Sequence, residues 1–253
     1  MSATDEANSE HQLDLALAAE LQAALLPRTC PTDCPHQVAA ARNRMSATIG
    51  GDFHDFLRVN DEQIAMVVGD VVGHGVRSSL LMAQIMGYLR SIRPNIRSRP
   101  SEVIALLNRM LIDLGERTNS VLPCTLFYAV IDLPSGVCFF VNCGHPRPFL
   151  CTRDGIGTLT SGNILLGVQP FDPVEDCITF EPGQRLVLYT DGIPDAADPS
   201  GQRFGDVRLR DVIGARLADN AKACADAIFD AVADFRSTAP QTDDETVVVI
   251  DRT

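Results

Sequence analysis

The chain is 253 residues long and 45% hydrophobic, with 33 acidic residues against 21 basic ones and a formal charge of -12. That length buries a sizeable core in one large domain, or at most two small ones. The acidic excess excludes a nucleic-acid or anionic-membrane partner as an expectation, because most of the surface would repel either.

The first residues are acidic and polar, with no apolar segment of a secretory leader. No apolar stretch approaches the roughly 18 residues of a membrane helix. The 8 cysteines lack the spacing of a small secreted domain and read as reduced thiols in core positions, so a cytoplasmic protein is expected.

Residues 10–26 read as a helix in which Leu13, Leu17, Leu21 and Leu25 recur at i, i+4 and Pro27 ends the run. A leucine stripe of this kind needs a second surface, either another copy of itself or the domain that follows. Residues 1–36 are therefore expected to form a helical leader, regulatory or homodimerising, ahead of a domain spanning 37–253. The connector CPTDCPH gathers Cys30, Cys34 and His36. Three soft ligands fall short of a closed four-ligand zinc site, and the prolines favour a plain connector.

Strands are expected over 38–43, 53–59 and 63–71, the last a nearly unbroken apolar run suited to burial on both faces. A helix follows over 76–89. A second helix starts with Ser101 as its N-cap after Pro100, carries Val103, Leu106, Leu107, Met110, Leu111 and Leu114 at helical spacing, and stops at Gly115. Strands over 125–133 and 137–142 are joined by a hairpin turn at 132–136. Short strands are expected around Phe149, around Ile178 and over 185–189. The last helix, 221–235, puts Cys224, Ile228, Val232 and Phe235 on one face, and a strand over 245–250 closes the chain. Pairs of helices separated by several strands favour an α+β fold with antiparallel sheets and helices packed outside.

The acidic residues of greatest interest share one grammar, an Asp beside Gly or a second Asp where an apolar run ends or begins. They are Asp70 in VVGDVVGHG, Asp191 in LVLYTDG, Asp243 and Asp244 in DDET, and Asp52 and Asp55 in GGDFHD. Carboxylates at sheet ends repel unless a hard cation neutralises them, and oxygen-only ligands select Mg2+, Mn2+ or Ca2+. The flanking glycines let backbone approach such an ion. One Asp-Gly alone is most often a turn; four such motifs in one domain are not. Nucleophilic side-chain catalysis finds no G-x-S-x-G elbow or HExxH, and phosphate-cradling and dinucleotide loops are absent. GGDF is similar to the loop of diguanylate cyclases, but there an acidic residue separates the Asp from the Phe, whereas Phe53 follows Asp52 directly.

The ordered set GGDFHDF, GDVVGHG, NCGHPRP, LLG, LYTDGIPDA and DDET resembles the SpoIIE/RsbU branch of the PPM (protein phosphatase 2C-type) phosphatases. The likeness runs from about residue 37 to the end, and LQAALLP resembles the helix that leads into such domains. The resemblance implies a four-layer αββα sandwich with two central antiparallel sheets and a binuclear Mn2+/Mg2+ site. It places metal ligands at Asp52, Asp70, Asp191 and Asp243 and at the Val71 carbonyl, with Asp55 and Asp244 as outer or third-metal groups. It implies a metal-dependent serine/threonine phosphatase acting on a phosphorylated anti-anti-sigma-type regulatory protein. Departures are small: His54 for a frequent Tyr, Val72 for a small residue, Cys143 for a frequent Ala, and Asn43-Arg-Met-Ser46 for an aromatic and proline pattern. The alternatives are a non-catalytic interaction module, whose mark would be a lost aspartate, and a phosphoesterase of small molecules.

Two cations would activate one water for in-line attack on phosphorus, without a phospho-enzyme. His74 is the candidate general acid and His145 a weaker one, each weighed against a histidine that bonds loop backbone. Arg77 and Arg147 are candidates for holding phosphate, weighed against solvated surface arginines.

Overall fold

The apolar runs pair into two five-stranded antiparallel sheets, shown by a computed structural model that describes residues 3–27, 29, 36–92, 99–160 and 162–253. One sheet runs in the order β2 (Asp52–Arg58), β3 (Gln63–Val71), β4 (Cys124–Asp132), β5 (Val137–Cys143), β8 (Asp176–Thr179). The other runs β1 (Gln37–Arg44), β10 (Glu245–Arg252), β9 (Arg185–Tyr189), β6 (Phe149–Thr152), β7 (Gly155–Thr158).

Strand parity sorts the side chains into layers. Ile64, Met66 and Val68 of β3 meet Leu186, Leu188, Val248 and Ile250 between the sheets. Ala65, Val67 and Val71 face the other way, onto helices α2 (Val76–Ser91) and α3 (Pro100–Thr118). The opposite sheet turns Val187, Tyr189, Val247 and Val249 toward α4 (Gly205–Ala215) and α5 (Ala221–Arg236). The expected αββα sandwich results. Each sheet is covered on both faces, which is why the middles of β3 and β10 read as apolar runs rather than alternating ones.

Helix α1 (Ala3–Leu25) precedes the sandwich. Leu25 packs against the core beneath α2 and α3, while Leu13, Leu17 and Leu21 of the same stripe are 61%, 50% and 71% exposed. The Arg90 guanidinium at the end of α2 donates to the Leu25 carbonyl at 2.6 Å and to the Asp55 carboxylate at 2.6 Å. One side chain thus ties α1, α2 and β2 together.

Several local expectations are corrected. Pro100 is the first residue of α3 and Arg99 its N-cap, while the Ser101 hydroxyl donates to Glu175 at 2.9 Å. Proline suits that position because the first helical N–H has no partner to lose. The helix also runs past Gly115 to an Asn119 cap at φ 48. Gly115 is required for another reason: a Cβ there would lie 2.5 Å from the Ser120 carbonyl oxygen. Helix α4 and strand β7 were not expected. The first buries only Leu209 and Ile213 along its length, and the second, GIGT, is exposed or half-buried throughout, so neither carries a strong period.

Of the six cysteines in the described residues, five are buried free thiols and Cys177 is an exposed one. Cys30 and Cys34 of the connector lie outside the described residues. Among the described residues no helix is long and apolar enough to cross a membrane.

Candidate metal centre

Four of the singled-out aspartates come from two sheets that meet at one end of the sandwich. Asp52 opens β2 and stands opposite Asp70 near the end of β3. Across the interface, β9 ends at Tyr189 just before Thr190 and Asp191, and Asp243 and Asp244 immediately precede β10. Since β9 and β10 are antiparallel neighbours, the end of one and the start of the other coincide in space.

Their mutual influence shows in their acidities. Burial first, and then the charges of Asp191, Asp243 and Asp244, push the Asp70 carboxyl from 3.8 up to about 7. Asp52 is held well above the usual carboxylate range by burial and by Asp70. Asp191 is raised as well, by burial and then by Asp243 and Asp195, and Asp243 by burial and then by Asp244 and Asp195. His74 lies close enough to Asp243 to lower it slightly. The cluster grades from buried Asp52 through half-buried Asp70 to exposed Asp191 and Asp243, so it opens to solvent at one end.

The surrounding residues aim these groups. Oδ2 of Asp52 accepts hydrogen bonds from the Thr190 hydroxyl at 2.7 Å and the Thr246 hydroxyl at 2.6 Å, the first just past β9 and the second on the neighbouring strand β10. That fixes the carboxylate plane and leaves its other oxygen free. Asp244 does something different. Its Oδ1 accepts from the Ser46 backbone N–H at 2.7 Å and the Ser46 hydroxyl at 2.9 Å, and its Oδ2 accepts from the Gly51 N–H at 2.8 Å. It holds the loop before β2 in shape.

The glycines of this region are where backbone comes close. A Cβ on Gly51 would lie 2.6 Å from the Val71 carbonyl and 3.1 Å from Asp70 Oδ1. A Cβ on Gly192 would lie 1.9 Å from the Asp244 carbonyl. The Val71 carbonyl and the Asp70 carboxylate therefore crowd the same cradle as the Gly51 backbone.

This donor set fits hard divalent cations: several carboxylates and a main-chain oxygen, no thiolate, and raised carboxyl pKa values that report uncompensated negative charge. Among the described residues no three His, Cys, Asp or Glu side chains are already drawn close enough to cage an ion.

Other candidates fall elsewhere. Asp55 is three residues from Asp52, so it projects from the opposite face of β2, where it pairs with Arg90 and accepts from the Phe56 N–H. It is a strut for α2, not an outer metal group. His145 is buried, bonds the Thr125 hydroxyl through Nδ1 at 2.9 Å, and sits in a loop clamped by Asn142 from both its N–H and its carbonyl. Burial drives its pKa down to about 3, so it stays neutral and has no proton to give as an imidazolium. His74 is exposed beside Asp243. Arg77 and Arg147 are both exposed.

One contributor had no signal in its own segment. The buried Gln22 amide of α1 donates to the Gly50 carbonyl at 2.7 Å and accepts from the Gly50 N–H at 3.1 Å. The leader helix thus grips the main chain next to Gly51 and Asp52. Only its place in LQAALLP, within the resemblance, hinted at it.

A family model described as Stage II sporulation protein E (SpoIIE) matches residues 60–253. The chain is 26% identical to the phosphoserine phosphatase RsbP of Bacillus subtilis, over 81% of this chain and 50% of RsbP. It spans half or less of the length of the curated relatives it matches. Its fold is that of the SiaA-PP2C domain of Pseudomonas aeruginosa, with a TM-score of 0.84 at 19% identity and full coverage of both chains. It is also similar to the catalytic domain of the serine threonine protein phosphatase PstP, whose structure holds two manganese ions. There the TM-score is 0.62 at 14% identity, over 86% of this chain and 99% of that one.

Proposed function

The chain belongs to the SpoIIE (Stage II sporulation protein E) family, and on that premise we propose that it is a metal-dependent protein serine/threonine phosphatase. Its substrate is a phosphoserine or phosphothreonine on a regulatory protein of the anti-anti-sigma kind, in cytoplasmic partner-switching signalling. The observation that carries the reading is the convergence of Asp52, Asp70, Asp191 and Asp243 at one sandwich end, with carboxyl pKa values raised by burial and by neighbouring carboxylates. RsbP, a phosphoserine phosphatase by name, supports the substrate class.

Asp52, Asp70, Asp191 and Asp243, with the Val71 carbonyl, would hold two divalent cations, Mn2+ or Mg2+, a reading supported by the two manganese ions of PstP. Such ions supply, when bound, a water activated near neutral pH and charge neutralisation at the phosphoryl oxygens.

The chain's own groups do the rest. Thr190 and Thr246 keep Asp52 in one orientation, so no rotamer search is needed on binding. Asp244 keeps the 46–52 loop closed against the cluster. His74 would give a proton to the leaving serine or threonine oxygen, a role supported by its exposure beside Asp243.

Residues 1–36 act as a regulatory segment. Gln22 couples α1 to the Gly50 backbone, and the exposed Leu13, Leu17 and Leu21 offer a second copy of the helix a surface for a homodimer.

The deciding experiment follows release of phosphate from a phosphoserine peptide with Mn2+ and with excess EDTA. Turnover is expected only with the metal, together with a rise in melting temperature, since the unfolded chain cannot assemble the site. Full turnover in EDTA would falsify the reading.

A further inference from the structure

Beside the metal loop the surface is apolar where solvent ought to favour polar groups. Val72, Val76, Leu80 and Val121 are 53%, 50%, 66% and 60% exposed. Val76 and Leu80 are one helical turn apart on the outer side of α2, whose inner side is already buried through Leu81, Met82 and Ile85. A helix with apolar groups on both faces has a second surface to cover.

Two concavities run along this side. One of about 400 Å³ starts at Val71, the residue whose carbonyl is a candidate ligand, and a neighbouring one of about 190 Å³ continues past Leu80; both share Arg77, Leu81 and Leu122. Arg77 is exposed between them and donates a 3.4 Å hydrogen bond from Nη2 to the Val121 carbonyl. In a chain with 33 acidic and 21 basic residues, this cation within an apolar groove selects for an acidic neighbour.

We propose that this groove docks the polypeptide flanking the phosphorylated residue of the substrate, with an apolar side chain over Leu80 and Val121 and an acidic side chain on Arg77. The proposal rests on the phosphatase reading above. The groove begins at the metal loop, so a segment lying in it delivers the neighbouring phosphoryl group to the carboxylate cluster. Binding energy from these remote contacts then positions the reacting atom.

The test uses three probes with Mn2+: para-nitrophenyl phosphate, a phosphoserine peptide with leucine and glutamate on both sides, and an equal-length peptide with glycine and glutamine there. The wild-type protein is expected to favour the leucine–glutamate peptide at least tenfold in kcat/KM. Leu80→Glu and Val121→Glu, both at exposed positions, are expected to shrink that preference to within twofold while leaving para-nitrophenyl phosphate turnover unchanged. Arg77→Ala should narrow the gap between glutamate- and glutamine-bearing peptides. No preference in the wild type, or a preference that survives both glutamate substitutions, overturns the groove. If Leu80→Glu instead turns a dimer into a monomer in light scattering, the face belongs to a second copy and the proposal falls. Failure to hydrolyse any of the three probes condemns the phosphatase reading itself.

Discussion

Replacing Asp70 with asparagine tests whether the aspartates form one repelling cluster that a cation relieves. The folded-state carboxyl of Asp70 lies at about 7, against 3.8 in its ordinary state. The folded protein therefore holds the proton that the unfolded chain has already released between those two values. Stability attributable to this group is fully present below about pH 4, falls as the pH rises toward 7, and is gone above it. The gap corresponds to at most about 4 kcal/mol against the ionised form. Solvent at the open end of the site screens part of it, leaving on the order of 2 kcal/mol.

Asparagine is nearly isosteric and carries no charge, so it removes this cost. For a chain of this size, ~2 kcal/mol corresponds to roughly 4–8 °C in melting temperature. In EDTA at pH 8, Asp70→Asn should melt higher than wild type by that amount, and at pH 4.5 the two curves should nearly coincide. Adding Mn2+ should raise the wild type and leave the variant almost unmoved, while the variant loses most phosphatase turnover. Differential scanning calorimetry across pH, with and without metal, reads all of this. A variant that melts below wild type in EDTA at pH 8, or by the same margin at pH 4.5, would refute the argument.

Three further predictions follow the same geometry. Asp244→Ala strips three hydrogen bonds from the loop before β2 and should lower stability by about 2–3 kcal/mol in urea unfolding, unlike Asp70→Asn. An unchanged midpoint would show the loop holds itself. Gln22→Ala breaks the grip of α1 on Gly50; metal affinity, read by Mn2+ titration of the melting temperature, should weaken several-fold, and an unaltered titration would uncouple helix from site. Leu17→Asp with Leu21→Asp, at exposed positions, should change the mass seen by light scattering or the basal turnover; if neither moves, the stripe has no partner.

The layered architecture was legible in the sequence, because burial on both faces forces the middles of β3 and β10 to be apolar and helices to show a 3.6-residue period. The same holds for Asp70 and Asp191, each at the close of an apolar strand beside glycine. Asp55 was misread although its distance from Asp52 held the clue: an odd separation along a strand sends two side chains to opposite faces. Helix α4 and strand β7 bury too little to leave a period.

What only the tertiary structure decided are the contacts between distant segments. Asp244 as the keeper of the 46–52 loop, Thr190 and Thr246 on Asp52, Arg90 bridging Asp55 and Leu25, and Gln22 on Gly50 join residues 28 to 198 positions apart. Local sequence records what a segment must bury, since burial acts on each residue through its own side chain. Which polar groups meet is set by how the sheets stack and where the helices land, and one segment alone does not contain that.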